Sequence, residues 1–112
     1  MGVIIIIMTK AQVFMDNCGF ETTIMASLTN DEKIKIIITS KCHSIQKLSE
    51  EINEIDPFEI IGQPIVDCPI HKIASKHIRH PACIVPSAIA RTIEVESGMA
   101  LPGDSTISIK KD

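Results

Sequence analysis

The spacing of isoleucine changes along this chain, and the change limits the folds that the chain can adopt. Within residues 21–39, apolar and polar side chains largely alternate, as they do in strands with one buried face. From Ile45 to Ile55, apolar residues instead follow spacings of three, four and three, which is typical of one apolar helix face. A chain that forms strands first and helices afterwards favours an α+β fold with an antiparallel sheet.

Four segments have the features of strands. Residues 11–15 are short and apolar, and residues 21–28 and 33–39 lie on either side of a polar turn at residues 29–32. The last two segments therefore predict a hairpin. Residues 104–110 alternate again, so we predict a C-terminal strand in the same sheet.

Prolines and a glycine delimit three predicted helices. The first carries the apolar stripe described above and ends before Pro57. The second covers residues 69–79, and the third covers residues 86–97 with Gly98 as its C-cap. Together these elements predict a single domain over residues 1–112, in which about three helices pack on one face of the sheet.

Residues 1–8 contain an isoleucine run that is too short for a membrane helix or for the apolar core of a signal peptide. Its β-branched residues favour an extra strand. The alternative is an N-terminal extension before a true start at Met8. With no export signal, we expect a cytoplasmic protein with no membrane partner, whose cysteines are reduced thiols or ligands.

The composition argues against binding of nucleic acid. Among 112 residues there are three Phe, no Trp and no Tyr, and the net charge is −3. Single-strand binding uses aromatic platforms beside basic charge, and phosphate contacts need a basic face. We therefore expect no nucleic-acid partner, whereas the unpaired edge of an isoleucine-rich sheet is a candidate surface for a homo-oligomer.

Four cysteines and four histidines carry the only suggestive chemistry. Cys18 lies in a predicted turn beside Gly19, whereas Cys42, Cys68 and Cys83 each lie near a predicted helix N-terminus. At a helix N-terminus, free N–H groups and the helix dipole favour a thiolate. Such positions are more typical of ligands and reactive thiols than of packing residues, which are usually placed within elements.

The densest group of potential ligands, between Cys68 and Cys83, is a weaker candidate than its composition suggests. It contains no C-x-x-C pair, which excludes the strongest zinc and iron–sulfur spacings. His71 and His77 are six residues apart and do not share an i, i+4 helix face. His77 lies on the apolar stripe of the second predicted helix, so we expect it to be a core histidine bonded to a carbonyl. His80 is the only histidine that we retain as a candidate ligand.

Several short strings resemble the pattern of a family of small uncharacterised proteins from anaerobic microbes. They are NCGF at residues 17–20, SKC at 40–42, HPACIVP at 80–86 and GMALP at 98–102. The resemblance extends from about Lys10 onward and implies no particular activity. It places Cys18, Cys42 and Cys83 inside the pattern and Cys68 outside it.

The leading hypothesis is a small protein that binds zinc or an iron–sulfur cluster through Cys18, Cys42 and Cys83. His80 is the candidate fourth ligand, with Cys68 or an external molecule as the alternatives. A second hypothesis is a structural domain that associates through its sheet, in which the cysteines only pack. A third is a thiol-dependent enzyme with Cys42 as nucleophile, so the sequence leaves open whether the protein is an enzyme.

Overall fold

The computed structural model describes residues 8–15 and 18–112. The predicted extension or extra strand at residues 1–8 lies, apart from Met8, outside the described residues. The described chain forms β1 (Thr9–Met15), β2 (Phe20–Leu28), β3 (Ile34–Ser40), α1 (His43–Glu51), β4 (Glu54–Ile55), α2 (Pro69–His77) and α3 (Val85–Glu96), with 3-10 turns at Pro57–Glu59 and Ile65–Asp67. These elements confirm the α+β fold class.

The sheet has the order β1-β2-β3-β4, and every neighbouring pair is antiparallel. Alternate residues of the three long strands are buried on one face, as the sequence pattern predicted. They include Val13, Thr22, Ile24, Ala26, Ile34 and Ile36. The opposite face keeps residues such as Phe14 and Ile37 in contact with solvent, so the helices cover the sheet on one side.

The core forms where apolar helix stripes meet this buried face. Ile45 and Leu48 of α1, Ile70 of α2, and Ile89 and Ile93 of α3 are almost fully buried. Burying one such side chain stabilises the fold by about 1.5–3 kcal/mol, which outweighs the weak helix propensity of isoleucine. None of the helices in the described ranges combines the length and the apolar character needed to cross a membrane.

The first helix is shorter than the apolar spacing predicted. α1 ends at Glu51, and the chain then forms β4, in which Ile55 pairs with Ile34 of β3. The N–H of Ile36 also donates to the carbonyl of Asn53 across 2.8 Å. Ile55 is therefore partly buried in the sheet and does not lie on a helix face. The apolar spacing could not distinguish these two structures, because a helix stripe and a paired strand would each bury Ile55.

The predicted C-terminal strand at residues 104–110 is wrong. Residues 101–112 have no regular secondary structure, and Ile107 and Ile109 are 67% and 88% exposed. Alternation alone does not form a strand, because a strand also needs a backbone partner, and in the described sheet this segment pairs with neither of the two edge strands, β1 and β4. The chain instead leaves α3 at Gly98, and the Arg91 guanidinium donates to the carbonyl of Leu101 across 3.1 Å.

The Glu96 carboxylate fixes the position of α3 along the sheet. One of its oxygens accepts from the Thr9 hydroxyl across 2.7 Å, and the other accepts from the Leu28 N–H across 2.8 Å. The last residue of α3 thus lies where β1 begins and β2 ends. Because α3 has 12 residues at a rise of about 1.5 Å each, its first residue lies towards the opposite end of the sheet.

Replacing Glu96 with Gln should lower the free energy of unfolding by about 1–3 kcal/mol, because an amide offers one acceptor oxygen to two donors. Urea denaturation followed by circular dichroism measures this change. Glu50→Gln is the matched control, since it removes the same charge from an exposed position on α1. Equal stabilities of the two variants would contradict the role of the two hydrogen bonds that Glu96 accepts from Thr9 and Leu28, which we call the Glu96 clamp.

Candidate functional site

Cys18 and Cys42 lie at the same end of the sheet. Cys18 occupies the turn between β1 and β2, where its Sγ donates to the carbonyl of Met15 across 3.6 Å. The predicted turn is confirmed, and Gly19 has a φ of +73° in it, a conformation that glycine adopts without steric cost. β3 runs antiparallel to β2 and ends opposite the beginning of β2, so Cys42 follows it at this same end.

A hydroxyl network ties Cys42 to the sheet. The buried Thr22 hydroxyl donates to Ser40 Oγ across 2.9 Å, and the Cys42 N–H donates to the same oxygen across 3.1 Å. The Gln46 side chain donates to the Ser40 carbonyl across 2.8 Å. Cys42 is therefore held at the N-cap position of α1, although its thiol caps no N–H group in the described part of the chain.

Cys83 reaches this end of the sheet because of the direction of α3. It lies two residues before Val85, at the end of α3 opposite the Glu96 clamp. Its N–H donates to the carbonyl of His80 across 3.4 Å, which closes a turn around Pro81. The fold thus brings to one end three thiols that are separated by 24 and 41 residues in sequence.

The electrostatics of Cys83 are consistent with the placement of the three thiols at one end of the sheet. Burial raises the pKa of the Cys83 thiol, while a hydrogen bond from the Val85 N–H opposes this effect. The negative charges of Cys42 and Cys18 raise the Cys83 pKa further. The expectation of a favoured thiolate at a helix N-terminus is therefore wrong for Cys83, because desolvation outweighs the helix N–H.

The three thiols do not form a closed site. Across residues 8–15 and 18–112, no group of three His, Cys, Asp or Glu side chains is arranged to hold a metal ion. Cys18 is exposed, and Cys42 and Cys83 are half-buried, so the end of the sheet is accessible from solvent. His80 is also exposed, in the loop between α2 and α3.

Cys68 is separate from this group. It is 4% exposed and belongs to the core. It lines a cavity of about 250 Å³ with His71 on its own helix and with Ala90 and Glu94 on α3. Ser87 also lines this cavity, so its wall on α3 extends from residue 87 to residue 94 around the middle of the helix, and Cys83 does not line it.

The histidines beside Cys42 and in α2 take part in a different arrangement. His43 and His77 line a cleft between α1 and α2, together with Lys47, Lys76 and Arg79. His77 bonds to the Glu51 carboxylate and not to the carbonyl that we expected. No hydrogen bond joins the Cys42 thiol to an imidazole in the described ranges, so the pair that would activate a thiol nucleophile is not formed.

The sequence did not predict this basic cleft, because its residues come from two segments about 30 positions apart. The residues next to His43, Lys47 and His77 in the sequence form no motif that would mark these three as part of a site. The only available signal is the concentration of basic residues in residues 71–80, which contain Lys72, Lys76 and Arg79 beside three histidines.

The neighbouring thiols should control how Cys83 ionises. Because burial raises its pKa, the rate of Cys83 alkylation should still increase with pH above about 8.5, where free thiols are already half ionised. Cys42→Ala should lower the pKa of Cys83 by removing a like charge, and Cys68→Ala should not. Iodoacetamide labelling followed by peptide mass spectrometry gives the rates, and equal effects of the two variants would exclude the proximity.

The raised pKa of the Cys83 thiol makes the free energy of unfolding depend on pH. The folded state holds the Cys83 proton more tightly than the unfolded state does, so this contribution is fully present below the ordinary thiol pKa and is lost as the pH rises through the raised pKa.

Comparison with known proteins identifies the family of this chain but gives no activity. No curated protein and no solved structure matches the chain. One family model matches residues 9–109, which include all four cysteines and all the described secondary structure. The chain therefore belongs to the Family of unknown function (DUF6951).

Proposed function

We propose that this protein binds a zinc ion or an iron–sulfur cluster through the thiolates of Cys18, Cys42 and Cys83. The observation that supports the proposal is their placement at one end of the sheet by three separate connections, namely the β1–β2 turn, the β3–α1 junction and the start of α3. Thiolates are the preferred ligands of zinc and of iron–sulfur clusters.

Binding requires the thiols to close around the group. The Cys18 side chain is exposed on a turn and Cys83 precedes its helix, so the movement that closes the site would fall on connecting segments and not inside a strand or helix. The hydroxyl network of Ser40 keeps Cys42 in place during this movement. Each thiol loses its proton on binding, so affinity increases with pH through the raised pKa of Cys83.

His80 is the preferred fourth ligand. Its carbonyl already bonds to the Cys83 N–H, and its exposed imidazole is free of the core. Cys68, the alternative fourth ligand, is packed beside the middle of α3. With His80 bound, the site would be a closed set of three thiolates and one imidazole, which is typical of structural zinc. With an external molecule in the fourth position instead, the site could exchange ligands, which suits transfer or catalysis. An anaerobic origin, which the sequence resemblance suggested, would favour an oxygen-sensitive cluster.

Anaerobic purification followed by metal analysis should find zinc or iron bound at one site per chain. Cys18→Ser, Cys42→Ser and Cys83→Ser should each weaken the affinity for the metal by at least tenfold and lower the bound metal, since one lost thiolate ligand costs more than about 1.4 kcal/mol. Cys68→Ala is the matched control: it should keep the metal and lower stability by creating a core cavity.

Two results would contradict this proposal. If the purified protein contains neither metal nor cluster and takes up neither zinc nor iron and sulfide on reconstitution, the thiols are not a metal site. Retention of metal by all three serine variants would equally exclude these ligands.

The open face of the sheet supports a second function, self-association. Phe14 and Ile37 are 58% and 47% exposed on this face, and Met25 of β2, the strand between β1 and β3, pairs with Ile37. Three apolar side chains on an uncovered sheet form a surface that a second copy could bury. In this case Cys18, Cys42 and Cys83 would contribute packing only.

Ile37→Lys and Phe14→Glu should both convert an associated species to a monomer, because each places a charge in the proposed contact. Sedimentation velocity measures the mass over a range of concentrations. Phe58→Glu is the control, since Phe58 is 75% exposed and lies outside the sheet. A wild-type protein that is monomeric at high concentration would refute the self-association.

A further inference from the structure

A basic cleft lies between the first turn of α1 and the last turn of α2. It has a volume of about 210 Å³ and is lined by His43, Ser44, Lys47, Lys76, His77 and Arg79. Among the described residues its lining contains no acidic side chain, although Glu51 bonds to Lys76 and His77 from beside the cleft and the whole chain has a net charge of −3. Three of the chain's eleven Lys and Arg side chains thus share one concave place, where they attract anions.

The backbone of α1 adds donors to this cleft. The first turn of α1 starts at His43 and contains no acidic residue. The Cys42 thiol caps no N–H group of this turn in the described part of the chain, so the helix has free N–H groups beside the Ser44 hydroxyl. A helix N-terminus with uncapped donors favours a negative group, here in combination with three permanently charged side chains.

One carboxylate of the chain already binds two of the basic side chains that line the cleft. Glu51 accepts from the Lys76 ammonium across 3.3 Å and also bonds to the His77 imidazole. These bonds hold the pKa of the Glu51 carboxyl below its usual range. The carboxylate occupies the Lys76 and His77 side only, so Lys47, Arg79 and the first turn of α1 have no acidic partner in the described ranges.

From this combination we propose that the cleft binds a phosphate group, either as free phosphate or on a small phosphorylated molecule. The volume is below the roughly 300–1,000 Å³ of pockets for drug-sized ligands, which suits a small anion. The arginine fork, lysine ammonium groups, hydroxyl and helix N–H groups together match an anion that has several acceptor oxygens. This site is independent of the metal that we propose for the thiols.

Titration of ¹⁵N-labelled full-length protein with inorganic phosphate, in a buffer without other multivalent anions, tests this inference. The amide signals of His43, Ser44 and Arg79 should shift together along a single saturable curve. Acetate should bind at least about tenfold more weakly, because it has one charge and two oxygens. Equal binding of phosphate and acetate, or shifts spread over all basic residues, would overturn the proposal.

Loss of basic side chains from the cleft should weaken phosphate binding, and loss of the neighbouring carboxylate should strengthen it. Lys47→Gln with Arg79→Gln should weaken phosphate binding by at least about tenfold, since two charge-assisted contacts are lost. Lys33→Gln with Lys72→Gln removes the same charge outside the cleft and should leave the affinity nearly unchanged. Glu51→Gln should strengthen binding severalfold, because it releases Lys76 and His77.

Equal losses in the two double variants would show that phosphate responds only to net charge, and the site would be rejected. All four substituted lysine and arginine side chains are exposed, so the variants should fold, and dispersed amide spectra verify this. If Glu51→Gln weakens binding, the carboxylate does not compete with the anion and the proposed geometry is wrong.

Discussion

The orientation of α3 depends on the Glu96 carboxylate, and the arrangement of the thiols depends on that orientation. Its two oxygens bind the Thr9 hydroxyl at the start of β1 and the Leu28 N–H at the end of β2. The C-terminus of α3 is thereby fixed at one end of the sheet. Cys83, which precedes α3, must then lie at the other end, where the β1–β2 turn and the end of β3 place Cys18 and Cys42.

Local patterns in the sequence predicted the local structure well. The alternation in residues 21–39 gives the β2–β3 hairpin within one residue at each end, and the prolines delimit α2 and α3 within two. The errors come from partners distant in sequence. Ile55 fits a helix stripe but pairs with β3, and residues 104–110 alternate but find no strand partner in the described chain.

The candidate site was predictable only in part. Turn and helix signals place Cys18, Cys42 and Cys83 at junctions, and the structure has them there. Their shared end follows from the direction of each strand and of α3, which no local pattern contains. The ionisation of Cys83 differs from expectation because burial depends on the complete fold. The cleft between α1 and α2 combines residues from two helices, so it was missed for the same reason.

Two junctions connect the thiols with the basic cleft. Cys42 immediately precedes His43, which lines the cleft, and the loop from Arg79 to Cys83 runs from one place to the other. A phosphate bound at the start of α1 would therefore act on the same backbone that carries Cys42. The α1 N-terminus and the α2–α3 loop are the parts of the fold where a thiol site and an anion site could influence each other.

The central claim is that Cys18, Cys42 and Cys83 are neighbours, and arsenite tests it without any assumption about the natural ligand. Arsenous acid condenses with three thiols, forming three arsenic–sulfur bonds and releasing three waters. Native mass spectrometry should find one arsenic per chain, with these three cysteines protected from alkylation and with retention in Cys68→Ala. Failure to retain arsenic, or protection that includes Cys68 in place of Cys83, would contradict the convergence of the three thiols.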